Sequence, residues 1–284
     1  MAEQRILATL DASQRSALDA SIAESEVVAT LVSRDLHDVV ASLSRFDPSG
    51  EHLKVVDEEF RVKGTASLAR AFREAAAFDG DVDSRAVLAR IKDRVRFSIQ
   101  VPEDGYSATV AAALAALRER GYQVSELVSF WGTGGRHNGL NVTLHDRNQF
   151  TIELQFPTPL SRTIGKQTHA LYEISRLKGG QAVERVAAFL RILEINKANG
   201  ITDHQPAGLE RLGEMRKVNT SLTRWIAKEP LVWEGYRRWL ERNGMTFEQA
   251  LEHHGLTPQD VLDGDRSDAA SERLGLQLPG RAEE

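Results

Sequence analysis

The residues with the clearest potential for chemistry lie between Gln149 and Arg176, where alternating polar and apolar residues give way to a helical pattern. The alternation predicts a strand with Glu153 and Gln155 on one face. Two prolines end this strand, and we expect a helix from about Ser161. A carboxylate on a strand beside a helix that carries cations suits the binding of an anionic substrate with a bound metal ion. The alternative explanation of the same pattern is that these polar residues only face solvent. The polar side chains on the predicted helix are Arg162, Lys166, His169, Tyr172, Glu173 and Arg176.

A second candidate site is a basic step from a strand into a helix. We expect the strand over 53–62, which places Arg61 and Lys63 on the same side of the chain. Ser67 and Arg70 lie near the start of the following helix, where backbone N–H groups and the helix dipole favour phosphate. The basic residues at this step therefore predict a polyphosphate-binding site. They are explained equally well by a basic edge strand that protects the sheet against aggregation.

A third candidate is Asp93, which directly precedes a predicted strand over 94–101. A carboxylate at the mouth of a strand is a common magnesium ligand. Asp93 has the same parity as the apolar residues of the strand, so we expect it to lie where the pleat has not yet begun. A simple turn or cap residue is the alternative.

Composition excludes several classes of protein. The 284 residues are 41% hydrophobic and 27% charged, with a net charge of -5, which is typical of a globular protein and unlike a broad nucleic-acid coat. The absence of cysteine excludes disulfides and a cysteine nucleophile. No apolar run approaches the roughly 18 residues of a membrane helix, and the first residues have no signal-peptide pattern, so we expect no membrane partner and a cytoplasmic site of action.

The order of predicted elements indicates an α+β fold. Strands and helices alternate up to the predicted helix that ends at Arg176, which favours a mixed β-sheet flanked by helices. We expect an N-terminal helical segment over 1–50, the mixed-sheet domain over 51–198 and a helical C-terminal extension with a loose tail over 199–284. The glycine-rich loop over 132–139 matches neither a dinucleotide-binding fingerprint nor a Walker loop.

The C-terminal extension interleaves aromatic residues with arginines. We expect only helices there, over 208–227, 230–243, 246–254 and 258–263, followed by a loosely packed end. Such aromatics can stack on nucleic-acid bases, but they more often form the core of a small helical domain, which we favour. The aromatic residues are Trp225, Trp233, Tyr236 and Trp239.

Several short motifs between Phe60 and Arg176 follow one another in a specific order. They are a basic step with Arg and Lys two residues apart, an Asp before an Arg-containing strand, a strand that follows a Gly, a Glu-x-Gln strand that ends at a Thr, and a helix with His and Tyr three apart. The residues are Arg61, Lys63, Ser67, Leu68, Arg70, Asp93, Arg94, Arg96, Gly139, Glu153, Gln155, Thr158, His169 and Tyr172. Together they resemble the synthetase domain of the RelA/SpoT family of pyrophosphotransferases, in a divergent branch often fused to phage-type or polymorphic-toxin proteins.

This resemblance implies a nucleotidyltransferase-like fold, Mg²⁺ as cofactor and transfer of the β,γ-pyrophosphate of ATP to a ribose hydroxyl. It assigns Asp93 and Glu153 to magnesium and to catalysis, with Glu153 also taking up the acceptor's proton. The residues assigned to the ATP phosphates are Arg61, Lys63, Ser67, Arg70 and Arg96. Those assigned to the acceptor are Asn141, Gln155, Lys166, His169, Tyr172 and Arg176.

The identity of the acceptor stays open at this point. In the family a Tyr that stacks on guanine usually follows the Gly, whereas Leu140 follows Gly139 here, with Trp131 and His137 as the nearest substitutes. The acceptors that fit are GDP or GTP, ADP or ATP, and the 3′ end of a tRNA, for which the C-terminal helices around Trp233 and Arg237 would be a recognition surface. The resemblance is compatible with an alarmone synthetase and with a delivered toxin that has an antitoxin partner, as a monomer or a homo-oligomer.

Two other functions remain as alternatives. The first is a nucleotide- or partner-binding module of the same fold without turnover. The second is a phage-associated structural protein with a vestigial site. Mg²⁺-dependent release of AMP from ATP separates the enzyme from both.

Overall fold

The computed structural model describes residues 7–79, 83–132, 135–177, 179–202, 205–218, 220–262 and 268–276. Part of the glycine-rich loop over 132–139 lies outside these ranges. The strands are β1 (Lys54–Val56), β2 (Val95–Gln100), β3 (Gln123–Ser129), β4 (Leu140–His145), β5 (Thr151–Phe156) and β6 (Arg216–Lys217). The helices are α1 (Ala12–Ser42), α2 (Thr65–Asp79), α3 (Ser84–Ala89), α4 (Tyr106–Glu119), α5 (Pro159–Arg176), α6 (Ala182–Ala198), α7 (Leu222–Lys228), α8 (Pro230–Arg242), α9 (Phe247–His253), α10 (Pro258–Leu262) and α11 (Asp268–Leu274).

The described strands form one mixed sheet in the order β1-β2-β5-β4-β3-β6. β2 runs parallel to β5, while β1 is antiparallel to β2 and β4 is antiparallel to β5. Apolar residues alternate with polar ones along β5, so that Ile152, Leu154 and Phe156 are buried and the intervening side chains are half-buried. The expected α+β class with a mixed sheet is confirmed.

The chain divides into two compact units. The first comprises Met1–Val128, Leu140–Pro159 and Pro206–Arg216. Part of its core lies between α1, α2 and α3, where Leu18, Leu68 and Phe72 are buried. The second comprises Ser129–Gly139, Leu160–Gln205 and Lys217–Glu284. Its core contains Phe189 and Trp225, stacked with ring centroids 5.1 Å apart, together with residues of α8 to α11.

Helix α1 begins at a capping box, in which the Asp11 side chain accepts a hydrogen bond from Gln14 N and the Gln14 side chain accepts one from Asp11 N. The helix holds the turn that precedes the basic step: Ser33 Oγ donates to Glu58 Oε2 at 2.5 Å, and His37 Nε2 lies 2.7 Å from Glu58 Oε1. These contacts connect positions more than 20 residues apart in the sequence.

The expected strand over 53–62 is wrong beyond Val56. Asp57 adopts a left-handed conformation at φ 58°, which breaks the extended chain, and a 3₁₀ turn follows over Glu58–Phe60. Val62 then forms only an isolated bridge with Val95. The basic step is therefore a turn and a bridge beside β2, in which Lys63 N donates to Arg94 O at 2.9 Å.

The expected helix over 208–227 is also wrong. Gly208 at φ 76° and Gly213 at φ 100° interrupt it, because positive φ is incompatible with an α-helix. The chain instead forms a 3₁₀ turn, the short edge strand β6 and α7. The loosely packed end is wrong for residues 268–276, since Leu274 and Leu276 are buried; residues 277–284 lie outside the described part.

The C-terminal aromatic residues form a core, as favoured from the sequence. Trp225, Trp233 and Tyr236 are buried, and Trp239 packs against them. Trp233 Nε1 donates to the backbone oxygen of Arg273 at 2.8 Å. A buried ring cannot stack on a base, so the expected tRNA-recognition surface is wrong for Trp233, whereas Trp239 is half-buried and its role there stays a prediction.

The hydrogen bonds of the Asp47 carboxylate make the folding stability of the protein depend on pH. Its carboxylate accepts hydrogen bonds from Ser49 Oγ at 2.6 Å and from the backbone N–H groups of His52 and Leu53 at 2.7 Å each. These bonds, led by that from Ser49, lower the pKa of Asp47 from 3.8 to about 2. A carboxyl group whose pKa is lowered by folding stabilises the protein above its unfolded pKa, and the contribution is lost as the pH falls through the folded value.

We therefore expect Asp47→Asn to be less stable than wild type at pH 6, and the difference to shrink between about pH 4 and pH 2. Urea denaturation at a series of pH values measures this. Asp38→Asn on α1 is the control, because Asp38 is exposed. A difference that stays constant down to pH 2 would contradict the prediction.

No helix of the described residues combines the length and apolar character needed to cross a membrane.

Candidate active site

The polar face of the sheet brings together side chains from three neighbouring strands. Register places Arg96 of β2 and Thr143 of β4 opposite Glu153 of β5. Two residues further along β5, Gln155 lies opposite Ser98 of β2 and Asn141 of β4. In adjacent strands, side chains at paired positions stand on the same face. The face therefore presents one carboxylate among amides, hydroxyls and an arginine.

Glu153 is the half-buried carboxylate at the centre of this face. Its Oε1 accepts hydrogen bonds from Gln155 Nε2 at 2.5 Å and from Asn141 Nδ2 at 3.4 Å. Burial raises the pKa of the Glu153 carboxyl above its usual value, and the hydrogen bond from Gln155 opposes this rise.

Three further charges act on Glu153. The negative charge of Asp93 raises its pKa, whereas the positive charges of Arg96 and Lys63 lower it. An interaction of this kind requires the charged groups to lie close together. The two carboxylates and the two cations, predicted from separate parts of the sequence, therefore lie within electrostatic range of one another in the first unit.

Asp93 lies in the turn directly before β2, as the parity of its position required. Its Oδ2 accepts a hydrogen bond from Lys63 Nζ at 2.5 Å, and both side chains are partly exposed. The neighbouring Arg94 is buried instead: its Nη1 contacts Glu24 of α1 at 3.1 Å. Of the two arginines in the motif, Arg96 is the exposed one beside Glu153.

Arg61 lies between the 3₁₀ turn and Lys63. Its carbonyl oxygen accepts from Arg96 N at 2.8 Å, which ties the basic step to β2. Its guanidinium is 3.8 Å from Glu26 Oε2, and its buried Nε has no hydrogen-bond partner. Ser67 and Arg70 lie on the first turns of α2, both half-buried. The step thus supplies cations that are not fully neutralised by the protein.

The donor atoms of this site suit magnesium together with a phosphate ligand. Among the described residues no group of three or more His, Asp or Glu side chains stands ready to hold a metal ion. Mg²⁺ commonly takes only one or two carboxylates, with substrate phosphates and water as its other ligands. Asp93 and Glu153 supply two carboxylates, and their role as magnesium ligands stays a prediction.

Four residues that the sequence assigned to the acceptor lie on α5 in the second unit. Lys166 and His169 are exposed, and Tyr172 is half-buried. Arg176 pairs with Glu173 at 3.3 Å, and its guanidinium lies 5.6 Å from the centre of the Tyr172 ring. Their common helix face was predicted from spacing, and their role toward an acceptor stays a prediction.

Arg136 is a residue of the second unit that the sequence did not single out. Its guanidinium lies 5.3 Å from the Tyr172 ring, 4.7 Å from the Phe189 ring and 5.6 Å from the Trp225 ring. Its Nη1 donates to Ser175 Oγ at 2.6 Å. The only available signal was an arginine in a glycine-rich loop, and its aromatic partners come from 36 to 89 positions further along the chain. Its contacts connect Arg136 to Tyr172 and to the helical core.

The structure removes one of the two suggested base-stacking residues. Trp131 is only 1% exposed, and Leu140, which stands where the family has its stacking Tyr, is fully buried in β4. Neither side chain offers a free face. His137 is half-buried and packs edge-on against Phe130 with centroids 4.8 Å apart.

Comparison with known proteins gives similarity of structure only. No protein-family model and no curated protein matches the sequence. Among solved structures, the complex of the type VI effector Tas1 with its immunity protein aligns with TM-score 0.40 and 17% identity over 68% of this chain and 98% of that one. Small alarmone synthetase 1 of Bacillus subtilis aligns with TM-score 0.46 and 14% identity over 64% of this chain and 90% of that one. The same synthetase bound to its product pppGpp gives TM-score 0.43 and 13% identity over 62% of this chain and 87% of that one.

Proposed function

We propose that this protein is a Mg²⁺-dependent pyrophosphotransferase that moves the β,γ-pyrophosphate of ATP to a ribose hydroxyl of an acceptor nucleotide. The observation that carries the proposal is the pairing of Glu153 with Arg96 across β5 and β2, with Asp93, hydrogen-bonded to Lys63, in the turn before β2 and in electrostatic range of Glu153. Two acids next to cations suit a metal-bound polyphosphate, because phosphoryl-type transfer depends on positioning and on charge neutralisation more than on covalent catalysis.

The cations of the basic step hold the donor. Arg61, Lys63 and Arg96 extend from a turn and a strand that hydrogen-bond to each other, so their backbone positions are rigid. Ser67 and Arg70 add a hydroxyl and a guanidinium from the start of α2, where the helix dipole favours negative charge. Guanidinium groups bind phosphate oxygens with two parallel hydrogen bonds, which orients the polyphosphate.

Glu153 takes up the proton of the attacking hydroxyl. The hydroxyl oxygen forms a bond to the β-phosphorus of ATP, the bond from that phosphorus to the oxygen bridging the α-phosphate breaks, and AMP leaves. Asp93 and Glu153 would hold Mg²⁺, which when bound neutralises the charge on the transferred group. The raised pKa of Glu153 makes it a stronger base than an exposed carboxylate once it is ionised.

An unsatisfied oxygen beside Glu153 supports a hydroxyl-bearing acceptor. Asn141 Oδ1 is buried and has no hydrogen-bond donor, while Asn141 Nδ2 contacts Glu153. A buried carbonyl oxygen without a partner is costly, and a ribose hydroxyl would supply the missing donor. Gln155 stands at the paired position on β5. Lys166, His169, Tyr172 and Arg176 are proposed for the acceptor on the resemblance alone.

Transfer of labelled pyrophosphate tests the proposal. The full-length protein is incubated with ATP labelled at the γ-position, Mg²⁺ and, separately, GDP, GTP, ADP, ATP or deacylated tRNA. We expect label on one of these acceptors, an equal amount of AMP, and loss of both on addition of excess EDTA. Release of AMP without labelled acceptor, or no consumption of ATP with any of them, would overturn the proposal.

One contact favours a second candidate, a nucleotide-binding module without turnover. Lys63 neutralises Asp93 at 2.5 Å, so this carboxylate needs no metal ion for its stability. In that case ATP would bind to the cations equally well with Mg²⁺ or with EDTA, and no AMP would form.

The proposal extends to a toxin acting in the cytoplasm of a target cell, because the divergent branch that the motifs resemble is often fused to polymorphic toxins. Induced expression in a bacterial host would then arrest growth, and the Glu153→Gln variant would not. An immunity partner would restore growth. Normal growth at high expression of active wild-type protein would exclude the toxin role and leave the enzyme.

A further inference from the structure

Phe60 is an exposed aromatic side chain next to the basic step. Six large apolar side chains of the described residues are well exposed, and Phe60, at 60%, is the aromatic one among them. Three of the others lie within α1 or α5, namely Val27, Leu31 and Ile174. An exposed apolar residue is ordinary by itself, so its setting has to decide whether it has a role.

The backbone around Phe60 is fixed. Asp57 holds the left-handed conformation, Phe60 N donates to Asp57 O at 3.0 Å, and Arg61 N donates to Glu58 O at 3.1 Å. The Glu58 carboxylate is in turn held by Ser33 and His37 of α1. The ring is therefore presented from an anchored turn, at little conformational cost to a ligand that stacks on it.

Phe60 is close along the chain to the cations proposed for the donor phosphates. Phe60 precedes Arg61, whose buried Nε lacks a partner. Lys63 comes three positions after Phe60, and a chain of that length spans at most about 10 Å. The side chains of both residues therefore stay within reach of a single nucleotide.

We infer that Phe60 is a stacking platform for the nucleobase of the nucleotide whose phosphates occupy the basic step. The inference rests on the proposed function, which it deepens by assigning a base-binding residue. A phenyl ring stacks on any base, because every base has a π-face, and it has no polar atom with which to read base identity. Phe60 therefore raises affinity for a nucleotide over free polyphosphate without selecting adenine by hydrogen bonds.

A comparison of ATP binding with inorganic tripolyphosphate binding distinguishes the contribution of Phe60 to the nucleobase from that of the cations to the phosphates. Calorimetric titration with each ligand, in Mg²⁺, is carried out on the wild-type full chain and on Phe60→Ala and Phe60→Trp. We expect Phe60→Ala to bind ATP about tenfold more weakly and tripolyphosphate unchanged, since stacking on one aromatic ring changes affinity by about this factor. We expect the Phe60→Trp variant to bind ATP with the affinity of wild type. We also expect ATP, but not tripolyphosphate, to quench the fluorescence of the introduced tryptophan.

Leu231→Ala is the matched control, because Leu231 is 85% exposed and lies on α8 in the second unit; we expect no change with either ligand. Equal weakening of both ligands by Phe60→Ala would show that the ring only supports the turn, and no weakening would show a plain surface residue. Either result overturns the inference and leaves the phosphate site intact. Failure of wild type to bind either ligand would instead overturn the proposed function together with the inference.

Discussion

Glu153→Gln should lower the rate of pyrophosphate transfer by about 1000-fold while ATP still binds. The change removes a general base, whose contribution is typically 100- to 10,000-fold, and one of two carboxylates proposed for Mg²⁺. The amide is isosteric, and its oxygen can still accept the hydrogen bond from Gln155. Arg61 and Lys63 are unchanged, so affinity for the polyphosphate should be kept.

The same substitution should stabilise the protein at neutral pH. Burial raises the pKa of Glu153 above its ordinary 4.5, so the folded protein binds more protons than the unfolded chain between these two values. Stability from this group is complete below the unfolded pKa and is lost as the pH rises through the folded one. The Glu153→Gln variant does not lose stability in this way, because its amide does not titrate. Its melting temperature should therefore be higher than that of wild type at pH 7, and the two melting temperatures should differ least below pH 4.

Glu126→Gln is the matched control for both measurements. Glu126 lies on β3 of the same sheet and pairs with Lys92 at 2.9 Å and Arg216 at 2.7 Å. These contacts, led by the one with Lys92, lower the pKa of Glu126, so its removal should slightly destabilise the protein and leave transfer unchanged. Transfer by Glu153→Gln at a rate near that of wild type would exclude Glu153 as the base. A lower melting temperature at pH 7 would contradict its unfavourable burial.

Arg185→Met should lower the free energy of unfolding by about 3 kcal/mol, the lower end of the effect of removing one partner of a buried ion pair. Arg185 on α6 is only 2% exposed. Its Nη1 contacts Glu229 Oε2 at 2.6 Å, and its Nε donates to Ser175 O at 3.0 Å. The substitution leaves both acceptors without their donor.

Urea denaturation followed by tryptophan fluorescence measures this effect where it should occur. The chain has four tryptophans, Trp131, Trp225, Trp233 and Trp239, and all belong to the second unit. The Arg185 guanidinium lies 5.4 Å from the Trp225 ring, so the signal also reports its immediate surroundings.

Arg191→Met on the same helix is the control. Its partner is Glu194, and its side chain is 52% exposed, so we expect a change below about 1 kcal/mol. Adding Glu229→Gln to Arg185→Met should recover part of the loss, because it removes the unpaired carboxylate. A loss below 1 kcal/mol for Arg185→Met would show that water or neighbouring groups replace the guanidinium.

Local periodicity predicted the parts of the site that lie on regular elements. Alternation along β5 placed Glu153 and Gln155 on one face, and the parity of Asp93 located it before β2. Spacing along α5 placed Lys166, His169 and Arg176 on one helix. These predictions succeed because strand and helix geometry depends on residues close in the sequence. The start of α5 at Pro159, two residues before Ser161, is the kind of shift expected at a helix end.

Features that depend on distant partners were not predictable. The turn over Glu58–Phe60 replaces the expected strand because α1 holds Glu58 and because Asp57 takes a positive φ that sequence pattern does not reveal. The edge strand β6 and the aromatic surroundings of Arg136 likewise arise from contacts between separate segments.

The sequence by itself determined which residue types were available, the period of each strand and helix, and the order of the motifs from Phe60 to Arg176. Only the tertiary structure decided that Asp93, Lys63, Arg96 and Glu153 act on one another, that Leu140 and Trp131 are buried, and that Phe60 stays exposed. The physical reason is that burial and charge interaction depend on distance through space, which the pairing of β2 with β5, more than 50 residues apart in the chain, sets for this site.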